Sequence, residues 1–123
     1  MFGFTHEVYG FGGHAQLNAM SDKGLLTKIP AHLSYEEAAA GMEGSHYALS
    51  DIRALGIDKN HRVLINGATG AIGSAAVQLI HALGAEVTAV CATPYMDAVA
   101  KLCLLYTSPS PRDQRGSRMP SSA

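Results

Sequence analysis

Apolar positions along the chain change their spacing several times, and each change predicts an element. Ala15, Leu17 and Ala19 alternate after Gly10, Gly12 and Gly13, as in a half-buried strand, and Leu25 to Ile29 predicts a second strand closed by Pro30. Ser34 followed three residues later by Glu37 is a capping box, opening a predicted helix over 34–55 that Gly56 ends. Gly41 and Gly44 interrupt that helix and mark either a break or a close approach of backbone. Arg62 to Asn66 carries an unbroken apolar run, as expected of a strand buried on both faces of a parallel sheet. Ile72, Ala75, Ala76, Leu79, Ile80 and Leu83 then recur three and four apart, predicting a helix over 71–83 with Gly84 as its stop. Val87 to Cys91 reads as another buried strand, and a further helix runs from Asp97 to Leu102.

Composition places the chain among globular proteins: of 123 residues 47% are apolar and 15% charged, with a formal net charge of −1. Near-neutral charge gives no footprint for nucleic acid, and no apolar run reaches the ~20 residues of a membrane span. Cys91 and Cys103 have neither the spacing of a zinc cage nor that of a disulfide framework, so no metal and a reducing, cytoplasmic setting are expected. Met1-Phe2-Gly3-Phe4 shows no targeting signal. The average conceals a boundary, however. Residues 103–123 hold three of the five prolines, five serines and three arginines against one aspartate, a charge of +2 that leaves −3 for residues 1–102. The run Ser108-Pro109-Ser110-Pro111 removes amide donors and disfavours helix, so 103–123 is predicted to be a disordered tail.

Chemistry concentrates between Arg62 and Cys91, where strand, glycine turn, helix and strand follow in the order and length of a βαβ unit. Its turn reads Gly67-Ala68-Thr69-Gly70-Ala71-Ile72-Gly73. In the G-x-G-x-x-G dinucleotide fingerprint the middle glycine lets backbone approach a pyrophosphate and the last lets the helix pack on the strand; Gly70 and Gly73 hold those places. Ala68 replaces the first glycine, while Gly67 beside it can supply the tight turn. The amides of Ala71, Ile72 and Gly73 then meet phosphate oxygens at the positive end of the helix dipole. The predicted fold is thus α/β, a partial Rossmann domain. An NAD-type site places an acid about 20 residues after the turn, but here Cys91 is followed by Ala92, Thr93 and Pro94, with no carboxylate before Asp97. The Thr93 hydroxyl and nearby amides can donate to a 2′-phosphate, which favours NADP, although no Arg or Lys stands between Ala92 and Tyr95.

Four stretches together resemble the medium-chain dehydrogenase/reductase superfamily, especially its zinc-independent, quinone oxidoreductase-like branch. They are Phe11-Gly12-Gly13-His14-Ala15-Gln16; Ile29-Pro30 with Ser34-Tyr35-Glu36-Glu37-Ala38-Ala39-Ala40; Arg62 to Gly73; and Ala76-Val77-Gln78-Leu79 with Leu83-Gly84-Ala85-Glu86-Val87. The resemblance implies that 1–33 is a remnant of a GroES-like β domain and 34–102 the first part of an NAD(P)-binding Rossmann domain. It implies hydride transfer from NADPH to a quinone, enone or carbonyl, in a parent enzyme that is a homo-oligomer acting on small molecules. It further implies an adenosine phosphate beside Ala92 and Thr93, and a nicotinamide near Gly44 and Ser45, where many relatives carry threonine instead of this chain's Glu43-Gly44-Ser45-His46. After Leu102 the family pattern stops, and Cys103 to Asp113 with Ser117 to Ala123 is similar to translated sequencing-adapter sequence, so 103–123 is expected to be non-native. The isolated chain, as a fragment, is expected neither to fold stably nor to turn over. A zinc-dependent alcohol dehydrogenase with metal ligands before Met1 and an NmrA-like non-enzymatic redox sensor are the alternatives. No catalytic residue is assigned. His6-Glu7 reads as a surface loop, His46 beside Tyr47 as a carbonyl-bonded helix residue, and His14, His32, His61 and His81 as surface or strand residues. Cys91 reads as a buried strand thiol.

Overall fold

The computed structural model describes residues 1–4, 16–17, 19, 23–102 and 106–109. The chain divides into two compact units, Met1–Met42 and Glu43–Ala123. In the first, β1 (Phe2–Gly3) and β2 (Leu26–Thr27) pair antiparallel, Phe2 opposite Thr27 and Gly3 opposite Leu26. The strand expected over Leu25 to Ile29 is therefore cut to two residues. Of the strand expected at Ala15, Leu17 and Ala19, Ala15 lies outside the described residues, whereas Leu17 and Ala19 are exposed and unpaired by any ladder. Helix α1 (Tyr35–Ala54) begins as the sequence predicts: the Ser34 amide donates to Glu37 Oε2 (2.9 Å) and the Glu37 amide to Ser34 Oγ (3.1 Å).

The second unit holds a parallel sheet in the order β3-β4-β5, made of β3 (Arg62–Asn66), β4 (Glu86–Cys91) and β5 (Tyr106–Pro109). Arg62 to Asn66 lie opposite Glu86 to Val90, and Thr88 to Cys91 opposite Tyr106 to Pro109. Helix α2 (Ala71–Ala82) joins β3 to β4; a 3₁₀ turn (Thr93–Tyr95) and α3 (Met96–Leu102) lead from β4 toward β5. This βαβαβ succession, with strands in chain order across the sheet, is the mononucleotide-binding half of a doubly wound fold.

Four sequence expectations change here. No break occurs at Gly41 or Gly44, since α1 is continuous across both. In β3 only Val63 and Ile65 pack against the core, while Leu64 on the opposite face is 67% exposed. A strand turns successive side chains to opposite faces, and the face carrying Leu64 is open at β3, so burial alternates instead of being two-sided. On α2 the buried residues are Ala75, Val77 and Ile80, with Ala76 and Leu79 half-buried; Ile72 and Leu83, which the periodic stripe includes, are each 46% exposed. Finally, residues 106–109 of the tail form a strand rather than disordered chain. The free edge of β4 offers backbone partners, Tyr106 and Thr107 favour extended structure, and Pro109 falls at the end of an edge strand, where a missing amide is tolerated. The rest of the predicted disorder, 103–105 and 110–123, lies outside the described residues.

The core is formed by Val87, Ala89 and Cys91 of β4, Val77 and Ile80 of α2, and Val99 of α3, joined by Ile52, Ala68 and Ala85. Helix ends feed it. The Ala85 amide donates to the Ile80 carbonyl (3.3 Å) and that of Gly84 to His81 (2.9 Å), while Ile57 donates to Ile52 (3.1 Å) and Gly56 to Arg53 (3.2 Å). Both are Schellman terminations, and each drops an apolar residue, Ala85 or Ile57, onto the core.

Candidate dinucleotide site

The carboxyl ends of β3 and β4 lie side by side, because Asn66 is paired with Val90. In open α/β sheets this edge is where ligands bind. Leaving β3, the chain turns at Gly67 with φ +80°, and the amides of Gly67 and Ala68 both donate to the Val90 carbonyl, at 3.0 and 3.1 Å. Tethered to the neighbouring strand, the loop cannot lift from the sheet without breaking two bonds. The Gly70 amide closes the turn on the Gly67 carbonyl (3.0 Å), and the Ser74 amide starts the helical ladder on Gly70 (2.9 Å). Ala68 is fully buried in the core, backbone included, whereas Thr69 is exposed.

Gly73 is required by contact. A Cβ there would run into the Gly67 carbonyl oxygen and lie 2.9 Å from its carbon and 3.1 Å from Ala68 Cα. Gly44 plays the same part on α1, where an added Cβ would meet the Ala71 carbonyl oxygen and stand 2.7 Å from its carbon. Of the two meanings open for Gly44, helix break or close approach, the second is the observed one. It brings Gly44, with half-buried Ser45 next to it, against the start of α2. The α2 N-terminus carries no side-chain cap, its N-cap being Gly70. The first-turn amides of Ala71, Ile72 and Gly73 have no acceptor within the helix, and the helix dipole adds positive potential there. Uncapped amides at the start of a helix, beside a turn with open space at Gly67, fit a dinucleotide pyrophosphate.

Ala92 and Thr93 follow β4 at the same edge, Ala92 half-buried and Thr93 exposed. Tyr95 N–H donates to the Ala92 carbonyl (2.9 Å) and Met96 N–H to that of Thr93. Of the amides near this turn, those of Tyr95 and Met96 are engaged and Pro94 has none. Two contacts were invisible in the sequence: the Val90 tether, which depends on strand register, and the approach of Gly44 to Ala71, which joins residues 27 positions apart.

The remaining candidates lie elsewhere. His61 Nδ1 is 2.7 Å from Asp58 Oδ1 in the loop between α1 and β3; there Asp58 is held below the ordinary aspartate range, first by the Asn60 amide and then by His61. Glu37 is held below its ordinary range by the Ser34 amide and hydroxyl of the capping box. His46 and Tyr47 are exposed, their rings 5.7 Å apart and edge-on. Cys91 is a buried free thiol, as expected. His6, Glu7 and His14 lie outside the described residues, and no group of metal-ligating side chains occurs among the described ones. Among them, no helix is long and apolar enough to cross a membrane.

Comparison with known proteins agrees with this architecture. No family model matches the chain. The quinone oxidoreductase of Thermus thermophilus, solved alone and in complex with NADPH, superposes with a TM-score of 0.64 at 31% identity, over 70% of this chain and 29% of that one. In sequence and fold the chain resembles the medium-chain dehydrogenase/reductase superfamily. Among curated proteins of similar sequence, reticulon-4-interacting protein 1, mitochondrial, of Caenorhabditis elegans is 35% identical over 105 residues, 79% of this chain and 28% of that protein. A trans-enoyl reductase of Gibberella fujikuroi is 37% identical over 84 residues, 61% of this chain and 24% of the enzyme. Mycoketide-CoA synthase of Mycobacterium tuberculosis is 45% identical over 74 residues, 58% of this chain and 2% of the synthase. The chain spans 28% or less of the length of these curated relatives.

Proposed function

We propose that this chain is the nucleotide-binding part of an NADPH-dependent oxidoreductase acting on a quinone, enone or carbonyl compound. The carrying observation is the loop Gly67–Gly73: tied to β4 through Val90, pressed against α2 by Gly73, and opening on the uncapped amides of Ala71, Ile72 and Gly73. In this reading those three amides bind the pyrophosphate, Gly67 and Gly70 give it room, buried Ala68 anchors the loop in the core, and exposed Thr69 lines the approach. Ala92 and Thr93 border the adenosine ribose. Gly44 keeps α1 against the start of α2, with Ser45 toward the nicotinamide side. A bound nicotinamide cofactor supplies the hydride; the protein binds and orients it. Support for the cofactor comes from the Thermus enzyme's complex with NADPH, and for the substrate classes from the names of that enzyme and of the Gibberella reductase.

The sequence leads to the expectation that the isolated 123-residue chain neither folds stably nor turns over; the binding reading requires only that it fold far enough to form the Gly67–Gly73 loop, and binding without turnover is proposed for it. Titration of the chain with NADPH, followed by nicotinamide fluorescence, is expected to saturate with one site, while NADPH oxidation with a benzoquinone or an α,β-unsaturated thioester stays at the uncatalysed rate. A titration with no saturation would remove the proposal. Catalysed oxidation would remove only its second part.

A further inference from the structure

We infer that His61 carries a ring proton on Nδ1 and gives it to Asp58, which closes the loop between α1 and β3 with a latch. The latch holds whether or not the imidazole is charged, and it opens when the Asp58 carboxylate is protonated. Two groups approach the same ring nitrogen: Asp58 N–H stands 3.2 Å from His61 Nδ1, and Asp58 Oδ1 stands 2.7 Å from it. One nitrogen cannot serve both, since a bare lone pair accepts and a protonated nitrogen donates. A bare Nδ1 could take the amide, but it would then face an anionic oxygen lone pair to lone pair at hydrogen-bond distance. A protonated Nδ1 donates to that oxygen and leaves the amide to solvent, which an exposed loop allows. The shorter, charge-assisted contact therefore decides the tautomer.

With Nδ1 turned inward, Nε2 is the outward nitrogen of a half-exposed ring. A second ring proton is taken up or given off there, on the far side from Asp58, so the Nδ1 contact survives in both charge states. The carboxylate is the part of the latch that can fail. Its Oδ1 also accepts from the Asn60 amide (2.9 Å), the Asn60 side-chain amide reaches Oδ2 (3.4 Å), and His61 N–H donates to the Asp58 carbonyl (3.1 Å). The His61 carbonyl in turn accepts from Glu86 N–H (3.1 Å), which ties the closed loop to the first residue of β4. Protonation removes the charge that draws these donors to Asp58. The charged and titratable groups on the surrounding elements are Asp51 and Arg53 on α1, Lys59 in the loop, Arg62 and Glu86 at the first rung of the sheet, and His81 in the last turn of α2. None of these described residues pairs with Asp58 or His61, so the latch is made by the two of them with Asn60.

The test is long-range proton–nitrogen NMR of the imidazoles in the isotope-labelled 123-residue chain, with exchange protection of the Glu86 amide followed in parallel. At about pH 8, above the range in which imidazoles ordinarily titrate, His61 is expected to carry its proton on Nδ1, and Asp58→Ala is expected to move it to Nε2. Protection at Glu86 is expected to stay within about twofold down to about pH 5. It should then fall about tenfold or more as the pH drops below 3.8, while Thr88 in the interior of β4 stays protected. A proton on Nε2 at about pH 8, in a folded or an unfolded chain, would overturn the inference, as would one that Asp58→Ala leaves on Nδ1. So would Glu86 protection that is lost within the imidazole range, persists in acid, or disappears only together with that of Thr88.

Discussion

At the scale of single residues, the site depends on two positions where a hydrogen replaces a side chain. Gly73→Ala forces a Cβ against the Gly67 carbonyl group, which is backbone and cannot swing aside. Overpacking of this kind costs about 1–3 kcal/mol, and displacing donors to a charged ligand weakens binding by about ten- to a hundredfold. The expected outcome is a lower thermal midpoint together with that loss of NADPH affinity; Gly41→Ala, where nothing lies within 4 Å, is the control and should leave affinity unchanged. A second residue-level prediction concerns acid. Asp58 has a folded pKa below its ordinary 3.8, through the Asn60 amide and then His61. Its contribution is therefore present above 3.8 and lost as pH falls through the lower folded value. Thermal melts across that range should show midpoints falling on acidification, with a shallower fall in Asp58→Ala.

At the scale of elements, what the sequence revealed depended on how local the cause was. The capping box of α1, the glycine stops of α1 and α2, and the bounds of β3 were legible because each follows from residues within one turn or one strand. Burial was less so. Val63-Leu64-Ile65 reads as two-sided, yet Leu64 is largely exposed, since burial of a strand depends on what covers each face and no local pattern encodes that. Val77 escaped the helical stripe while being fully buried, and Ile72 was included although it stands at the exposed start of α2. The third strand escaped altogether, because Pro109 and its neighbours look like coil until β4 offers an edge. If β5 pairs as described, removing residues 103–123 uncovers that edge of β4, and the thermal midpoint should fall. An unchanged midpoint would mean the tail contributes nothing to the sheet.

For the whole molecule, the function follows from which strand ends are brought together. The glycine loop was readable as a strand–turn–helix junction because that order is written in about a dozen residues, and the phosphate binding proposed for it rests on that junction. The turn after β4 was only partly readable: Ala92 and Thr93 could be placed after a strand, but not the engagement of the Tyr95 and Met96 amides within the turn. The parallel register that puts Asn66 beside Val90 unites the two loops on one edge, where a single extended nucleotide can span them. The most direct test is therefore residue-resolved. Amide chemical shifts of the isotope-labelled 123-residue chain, recorded by NMR during titration with NADPH, should move most at Ala71, Ile72 and Gly73, with smaller movements at Gly67 and Thr93. Saturable shifts centred on other residues, or none at these amides at saturating NADPH, would contradict the assignment of this loop as the pyrophosphate site.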